Sequence, residues 1–223
     1  MEIIVEPEEK LKGIQVAASI LRNVDNTVGS SRELESFMLD LSTKLRQKYV
    51  DSEGILKDPK VRMYRDFYWK IGLDPTETRP ANEALLRRVV LGEGLPRINM
   101  VTDVCNLAIV YTMIPMSVYD LALVKGERLK IRSSNQGELF LGIGMNEPVK
   151  LTGKEVVFCD EEGILCIYPH RDSQKANVTK TSRNILLTVF GVPGLSGLEL
   201  LWALKVATKL LLKFVGGEYE FIL

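Results

Sequence analysis

Chemistry-bearing groups are concentrated in Leu165-Cys-Ile-Tyr-Pro-His-Arg-Asp-Ser173, which holds the single histidine of the 223-residue chain, His170. An imidazole titrates near working pH, an arginine beside it can hold a phosphate or polarise a carbonyl, and a carboxylate can orient the imidazole or bind an ammonium. His170, Arg171 and Asp172 are therefore candidate binding or catalytic groups at the end of a strand, where such groups concentrate. The same run also reads as an ordinary turn. In that reading Pro169 breaks a strand, Asp172 and Ser173 bond the turn backbone, and His170 and Arg171 face solvent.

The elements around this run must place it. Val156 to Phe158 and Ile164 to Ile167 read as a β-hairpin turning through Asp160-Glu161-Glu162-Gly163, so Tyr168 to Ser173 falls where a strand gives way to a loop. Upstream, Ile3 to Val5 and Gly13 to Leu21 carry strand signals. Ser30 with Glu33 forms a capping-box pattern ahead of Leu34, Phe37, Met38, Leu41 and Leu45 at helical spacing. Further helices are predicted over Val61 to Ile71 and after Pro80. From Pro96 to Tyr111 a mostly apolar helix carries Asn99, Asp103 and Asn106 at i, i+4 and i+7, one polar line that either knits the helix to its neighbours or lines a pocket. After Pro115 short apolar runs at Leu121 to Val124, Leu129 to Arg132 and Glu138 to Leu141, separated by glycines, suggest antiparallel sheets packed face to face. Gly142-Ile-Gly144 lacks the third glycine and following helix of a dinucleotide loop and reads as a bulge or close backbone approach. No cofactor is expected.

Charge and composition narrow the partners. Lys plus Arg and Asp plus Glu number 29 each, so no whole-molecule positive field draws this chain to nucleic acid, and RNA contact must come from a local patch. Arg79, Arg87 and Arg88 are candidates for that patch; a solvated helix surface is the other reading. Cys105, Cys159 and Cys166 have apolar neighbours and no paired spacing, which reads as free thiols in a reducing cytoplasm and gives no zinc site. The acidic start Met1 to Glu9 resembles neither a signal nor a transit peptide. Leu198 to Val215 is interrupted by Lys205, Lys209 and Lys213 and reads as an amphipathic helix rather than a membrane span. Its Leu198, Leu201, Trp202 and Leu212 are expected to face the β core or a second subunit, which leaves homo-oligomerisation open.

Arg79-Pro80, Glu83 to Leu86, Pro96-Arg-Ile-Asn-Met-Val-Thr-Asp-Val-Cys-Asn106, Pro115-Met-Ser-Val-Tyr-Asp120, Gly126 with Arg132, Gly137-Glu138, and Asp172-Ser173 followed by Val178-Thr179 and Thr181 occur in an order that resembles the tRNA-editing (B-three/B-four) module of the bacterial phenylalanyl-tRNA synthetase β subunit, especially its free-standing relatives. The resemblance spans residues 79 to about 190. It implies an α+β fold of mixed helices around a β-sandwich-like core, and a pocket that hydrolyses the ester of a tyrosine wrongly attached to phenylalanine tRNA. Two segments depart from the family pattern. Ser117 stands in a histidine slot of Pro-Met-His-x-Phe-Asp, and Pro169-His-Arg-Asp172 replaces a Gly-Gly-Glu-like run.

With that resemblance, His170, Arg171 and Asp172 become the catalytic candidates for a hydrolysis in which a positioned water loses its proton and attacks an ester carbonyl, and Asn99, Asp103, Asn106, Ser117, Tyr168 and Ser173 become substrate-binding candidates. Asn99, Asp103, Ser117, Tyr168 and His170 are expected to share one pocket. The chain is divided into N-terminal strands and helices over 1–78, an editing-like core over 79–190 and a C-terminal packing helix and tail over 191–223, all one domain. The expected function is trans hydrolysis of mischarged aminoacyl-tRNA by a protein that is not a complete synthetase; the alternative is a non-catalytic module that binds tRNA, another RNA or an amino-acid-like ligand.

Overall fold

Local capping chemistry sets the helical half of the molecule. A computed structural model describes residues 1–27 and 29–222. After strands β1 (Glu2–Val5) and β2 (Gln15–Arg22), four helices follow: α1 (Arg32–Lys48), α2 (Ser52–Lys57), α3 (Pro59–Lys70) and α4 (Ala81–Val90). The cap of α1 lies one residue beyond the expected position: the Ser31 hydroxyl accepts from the Leu34 amide at 3.2 Å, while Ser30 bonds Glu35 instead. Asp51 caps the short α2, and Asp58 caps α3 with Pro59 in its first turn, where a missing N–H costs nothing. Helix α5 (Met100–Thr112) is capped by Asn99, whose side chain accepts from the Thr102 amide.

The β half is a sandwich. Strand β3 runs over Met116–Asp120, not over Leu121 to Val124 as expected. The Asp120 side chain accepts from the Ala122 amide and its carbonyl from the Leu123 amide, which bends the apolar run into a turn. Then come β4 (Arg128–Ser133), β5 (Leu139–Phe140), β6 (Val149–Lys150), β7 (Val156–Cys159), β8 (Ile164–Ile167), β9 (Arg171–Asp172) and β10 (Ile185–Gly191), followed by α6 (Gly197–Val215) and β11 (Glu218–Ile222). One sheet has the order β1-β4-β7-β8-β9, a second β11-β2-β10-β3, and β5-β6 form a small third. Only the β1–β4 pair among these is parallel. The β7–β8 hairpin is as the sequence predicts.

The second sheet is covered on both faces. Ala17, Leu21, Ile185, Leu187 and Val189 pack under α5 and α6. The opposite side chains, Ala18, Ile20, Leu186 and Phe190, meet Leu129, Ile131, Phe158 and Leu165 of the first sheet. Strands buried on both faces read as continuous apolar runs, as in Ile185–Gly191.

Helix α6 meets the β core along a different stripe from the four residues expected, of which Leu212 alone packs against that core. Its buried stripe is Leu200, Ala203, Leu204, Ala207, Leu211 and Val215, whereas Leu198, Leu201 and Trp202 are 82%, 43% and 43% exposed. The Ser196–Glu199 capping box fixes the start of the helix, and its phase then turns Leu200 and Leu204, not Leu198 and Trp202, onto β2 and β10. Lys205, Lys209 and Lys213 face solvent, as expected. No described helix is long and apolar enough to cross a membrane. The three cysteines are free and buried.

Candidate active site

A cavity of about 240 Å³ opens where α4, α5 and the ends of β3, β8 and β10 meet. Its walls are apolar in Leu85, Ile109, Met116, Ile167 and Phe190. Its polar groups are Asn106 from α5, Ser117 from β3, and His170, Arg171 and Asp172 from the segment after β8. The β8–β9 turn is closed by the His170 amide donating to the Ile167 carbonyl at 2.7 Å, so three consecutive side chains are presented at the cavity rim. Gly142 lets this segment pass closely. It bridges to Ser173, and a Cβ there would stand 2.5 Å from Arg171 Cδ and 2.8 Å from Phe140 Cε1.

Asp172 is the carboxylate of the cavity. Burial pushes its pKa up to about 6, opposed by hydrogen bonds from the Ser117 hydroxyl at 2.7 Å and the Tyr119 hydroxyl at 3.3 Å. A desolvated carboxyl resists ionising because charge is poorly solvated there, and donors to its charged form offset part of that cost. Ser117 and Tyr119 are two residues apart on β3 and therefore share a face.

His170 is held differently. Its Nδ1 lies 2.9 Å from the Arg79 carbonyl, which can only accept, so the neutral ring carries its proton on Nδ1 and leaves Nε2 as an acceptor. Burial, with the Arg171 charge adding to it, lowers its pKa below the usual histidine value, while the Arg79 carbonyl opposes the shift. The unprotonated base is thereby favoured at neutral pH. Its orienting partner is this carbonyl, and the Asp172 carboxylate is bonded by Ser117 and Tyr119 instead.

A second cleft, of about 530 Å³, adjoins the cavity and shares Ala84, His170 and Arg171 with it. Arg79, Arg87 and Arg88 line it, with Glu77 and Glu93 opposing. Beneath the arginines lies Glu83, fully buried on α4. Its carboxylate meets Arg65 Nη1 at 3.0 Å, Arg87 Nε at 2.9 Å and Arg79 Nε at 3.9 Å. Arg87 is thus largely committed to the fold, and it also donates to Ser52 at 2.9 Å. Arg88 pairs with Glu93 at the surface.

The structure brings Asn106, Ser117, His170, Arg171 and Asp172 to one cavity, and leaves Asn99, Asp103 and Tyr168 outside its lining. Asn99 knits helix to loop: its side chain accepts from Asn26 and Thr102 and donates to the Val178 carbonyl. Asp103 accepts from the Ile98 amide at 2.7 Å and pairs with Arg97 at 3.1 Å. Helix starts leave backbone amides unbonded, which is why these two members of the polar line turn to the backbone and only Asn106, deeper in α5, faces the cavity. Tyr168 is wholly buried, stacks edge-on to Phe190 and donates to the Gly191 carbonyl at 2.6 Å. Ser173 caps the short helical turn Gln174–Ala176. Sequence reasoning missed Tyr119, Phe190, Glu83 and the Arg79 carbonyl. Strand alternation from Ser117 could have found Tyr119.

The fold is a β-sandwich backed by helices, with an imidazole and a carboxylate lining one cavity at its end. The family model of the B3/4 domain matches residues 63–216, and the chain belongs to that family. The chain is 26% identical over 165 residues to the phenylalanine–tRNA ligase β subunit of Porphyromonas gingivalis, covering 66% of this chain and 20% of that one. It is 26% identical over 102 residues to the same subunit of Protochlamydia amoebophila, covering 46% of this chain and 13% of the other. The chain thus spans a fifth or less of the length of these relatives. The fold is similar to an N-terminal fragment of the phenylalanyl-tRNA synthetase β subunit from Pyrococcus horikoshii, with a TM-score of 0.51 and 15% identity over 98% of this chain and 50% of that one. All cavity and cleft residues named above lie inside the matched segment.

Proposed function

We propose that the chain hydrolyses, in trans, the ester of a mischarged aminoacyl-tRNA. The observation that carries this reading is His170, fixed in the Nδ1–H tautomer with Nε2 free, at the junction of an apolar-walled cavity and an arginine-lined cleft. The cavity takes the aminoacyl group and the cleft takes terminal phosphates of the tRNA. Ionised Asp172 binds the α-ammonium. A water gives its proton to His170 Nε2 as its oxygen attacks the ester carbonyl; Arg171 stabilises the oxyanion. The bond to the ribose oxygen breaks, the proton passes from Nε2 to that oxygen, and free amino acid and tRNA leave.

The test is deacylation of a panel of tRNAs, each carrying a non-matching amino acid. Hydrolysis of at least one is expected, and His170→Ala should slow it by about 10²-fold to 10⁴-fold while binding changes much less. A second reading, a non-catalytic binder of tRNA or an amino-acid-like ligand, is favoured by the same Asp172, since capturing an ammonium needs no base. Salt-sensitive tRNA binding without hydrolysis of any member of the panel would replace the first reading with the second.

A further inference from the structure

Arg79 serves two places at once. Its guanidinium lines the cleft, while its carbonyl, 2.9 Å from His170 Nδ1, fixes the imidazole of the cavity. The backbone between them is pinned, because the Ala81 amide donates to the Pro169 carbonyl at 3.1 Å, just ahead of His170. Of the three arginines around Glu83, Arg79 is the loosest: its Nε stands 3.9 Å away, against 3.0 Å and 2.9 Å for Arg65 and Arg87, and its side chain is 47% exposed. It is the one best able to turn to an incoming anion. The competing Arg88–Glu93 pair is surface-exposed, at 43% and 51%, and such pairs are worth little.

The cleft's chemistry selects phosphate over base. No Phe, Tyr or Trp is among the described residues that line it, and its one aromatic ring, the His170 imidazole, is tethered at Nδ1 to the Arg79 carbonyl. What it offers are guanidinium forks, which match phosphate oxygens.

We propose that the cleft is a phosphodiester subsite wired to His170 through Arg79, so that a polyanion held by the guanidinium and the Nδ1–H tautomer held by the carbonyl stabilise each other. Coupling of this kind is reciprocal: whatever ordering the ring gains from the anion, the anion gains in affinity from the ordered ring. The proposal takes its ligand class from the tRNA reading but needs no hydrolysis.

His170 is the sole histidine, so ¹⁵N-histidine labelling gives one pair of ring signals from the intact chain. The probe is a short single-stranded RNA added at mildly alkaline pH. The free protein should show Nδ1 protonated and Nε2 bare, and RNA should shift both signals saturably and more strongly at low salt. Arg79→Ala, which keeps the carbonyl, should abolish the shift and lower the slope of log affinity against log salt by about 1. Lys205→Ala, on the exposed face of α6, should behave as wild type. An Nε2-protonated ring, RNA that does not bind, RNA that binds without moving the ring signals, or an Arg79→Ala variant that responds like wild type would each overturn the proposal. Ring shifts without deacylation would keep it and remove the hydrolase reading; deacylation without ring shifts would do the reverse.

Discussion

Ser117 donates its hydroxyl to Asp172 Oδ1 at 2.7 Å, joining the edge strand of one sheet to the end strand of the other. The bond favours the ionised carboxylate against burial. Ser117→Ala should therefore raise the Asp172 pKa further above about 6, read from the carboxyl carbon signal in a ¹³C-aspartate titration. Deacylation at pH 7 should fall with it, and recover at higher pH.

Asp172 also sets a pH dependence of stability. Its folded pKa is raised, so between the ordinary aspartate value and about 6 the folded chain holds a proton that the unfolded chain has released. Stability should fall as pH rises through that window and stay lower above it. Asp172→Asn should flatten the dependence and raise stability at pH 7, by at most about 3 kcal/mol at about 1.4 kcal/mol per pKa unit. Urea titrations across the window measure both effects.

Glu83→Ala should destabilise the chain by about 3 to 5 kcal/mol, because it strands Arg65 and Arg87, whose side chains are only 15% and 20% exposed, without a counter-charge. Glu83→Gln, which keeps an acceptor, should cost less. Denaturant midpoints distinguish the two.

Gly142→Ala places a methyl against Arg171 Cδ and the buried ring of Phe140. The arginine can swing away but the ring cannot. A loss of about 1 to 3 kcal/mol is expected, together with a displaced Arg171 and slower deacylation. Calorimetry and the deacylation assay report the two consequences.

On α6, Leu204→Ala should cost about 2 to 5 kcal/mol, whereas Leu198→Ala should stay within about 0.5 kcal/mol. The first is 1% exposed and the second 82%. Equal losses in thermal unfolding would contradict the observed helix phase.

What the sequence revealed was mostly local. The helix after Pro80 and the Val156 to Ile167 hairpin announce themselves through turns and periodicity, which act over a few residues. The strand Ile185–Gly191 carries no such mark, since both of its faces are covered and alternation is lost. In the cavity, the His170-Arg171-Asp172 run was legible from residue type, and Ser117 only through the family resemblance. The Arg79 carbonyl was not, because every residue has one and only tertiary placement makes it a partner for His170. The role of Glu83 was not legible either, because only the fold brings Arg65, Arg79 and Arg87 to its carboxylate.

The order in which the second sheet is assembled has a consequence for biosynthesis. Strand β2 is made early, yet its neighbours β10 and β11 both come from the far end of the chain. Until β10 has been synthesised, the Val16 to Leu21 run therefore has neither ladder partner and is exposed to pairing with other chains. Closure of that sheet is a long-range event, because Gln15–Arg22 must wait for Ile185–Gly191 and Glu218–Ile222 to be made.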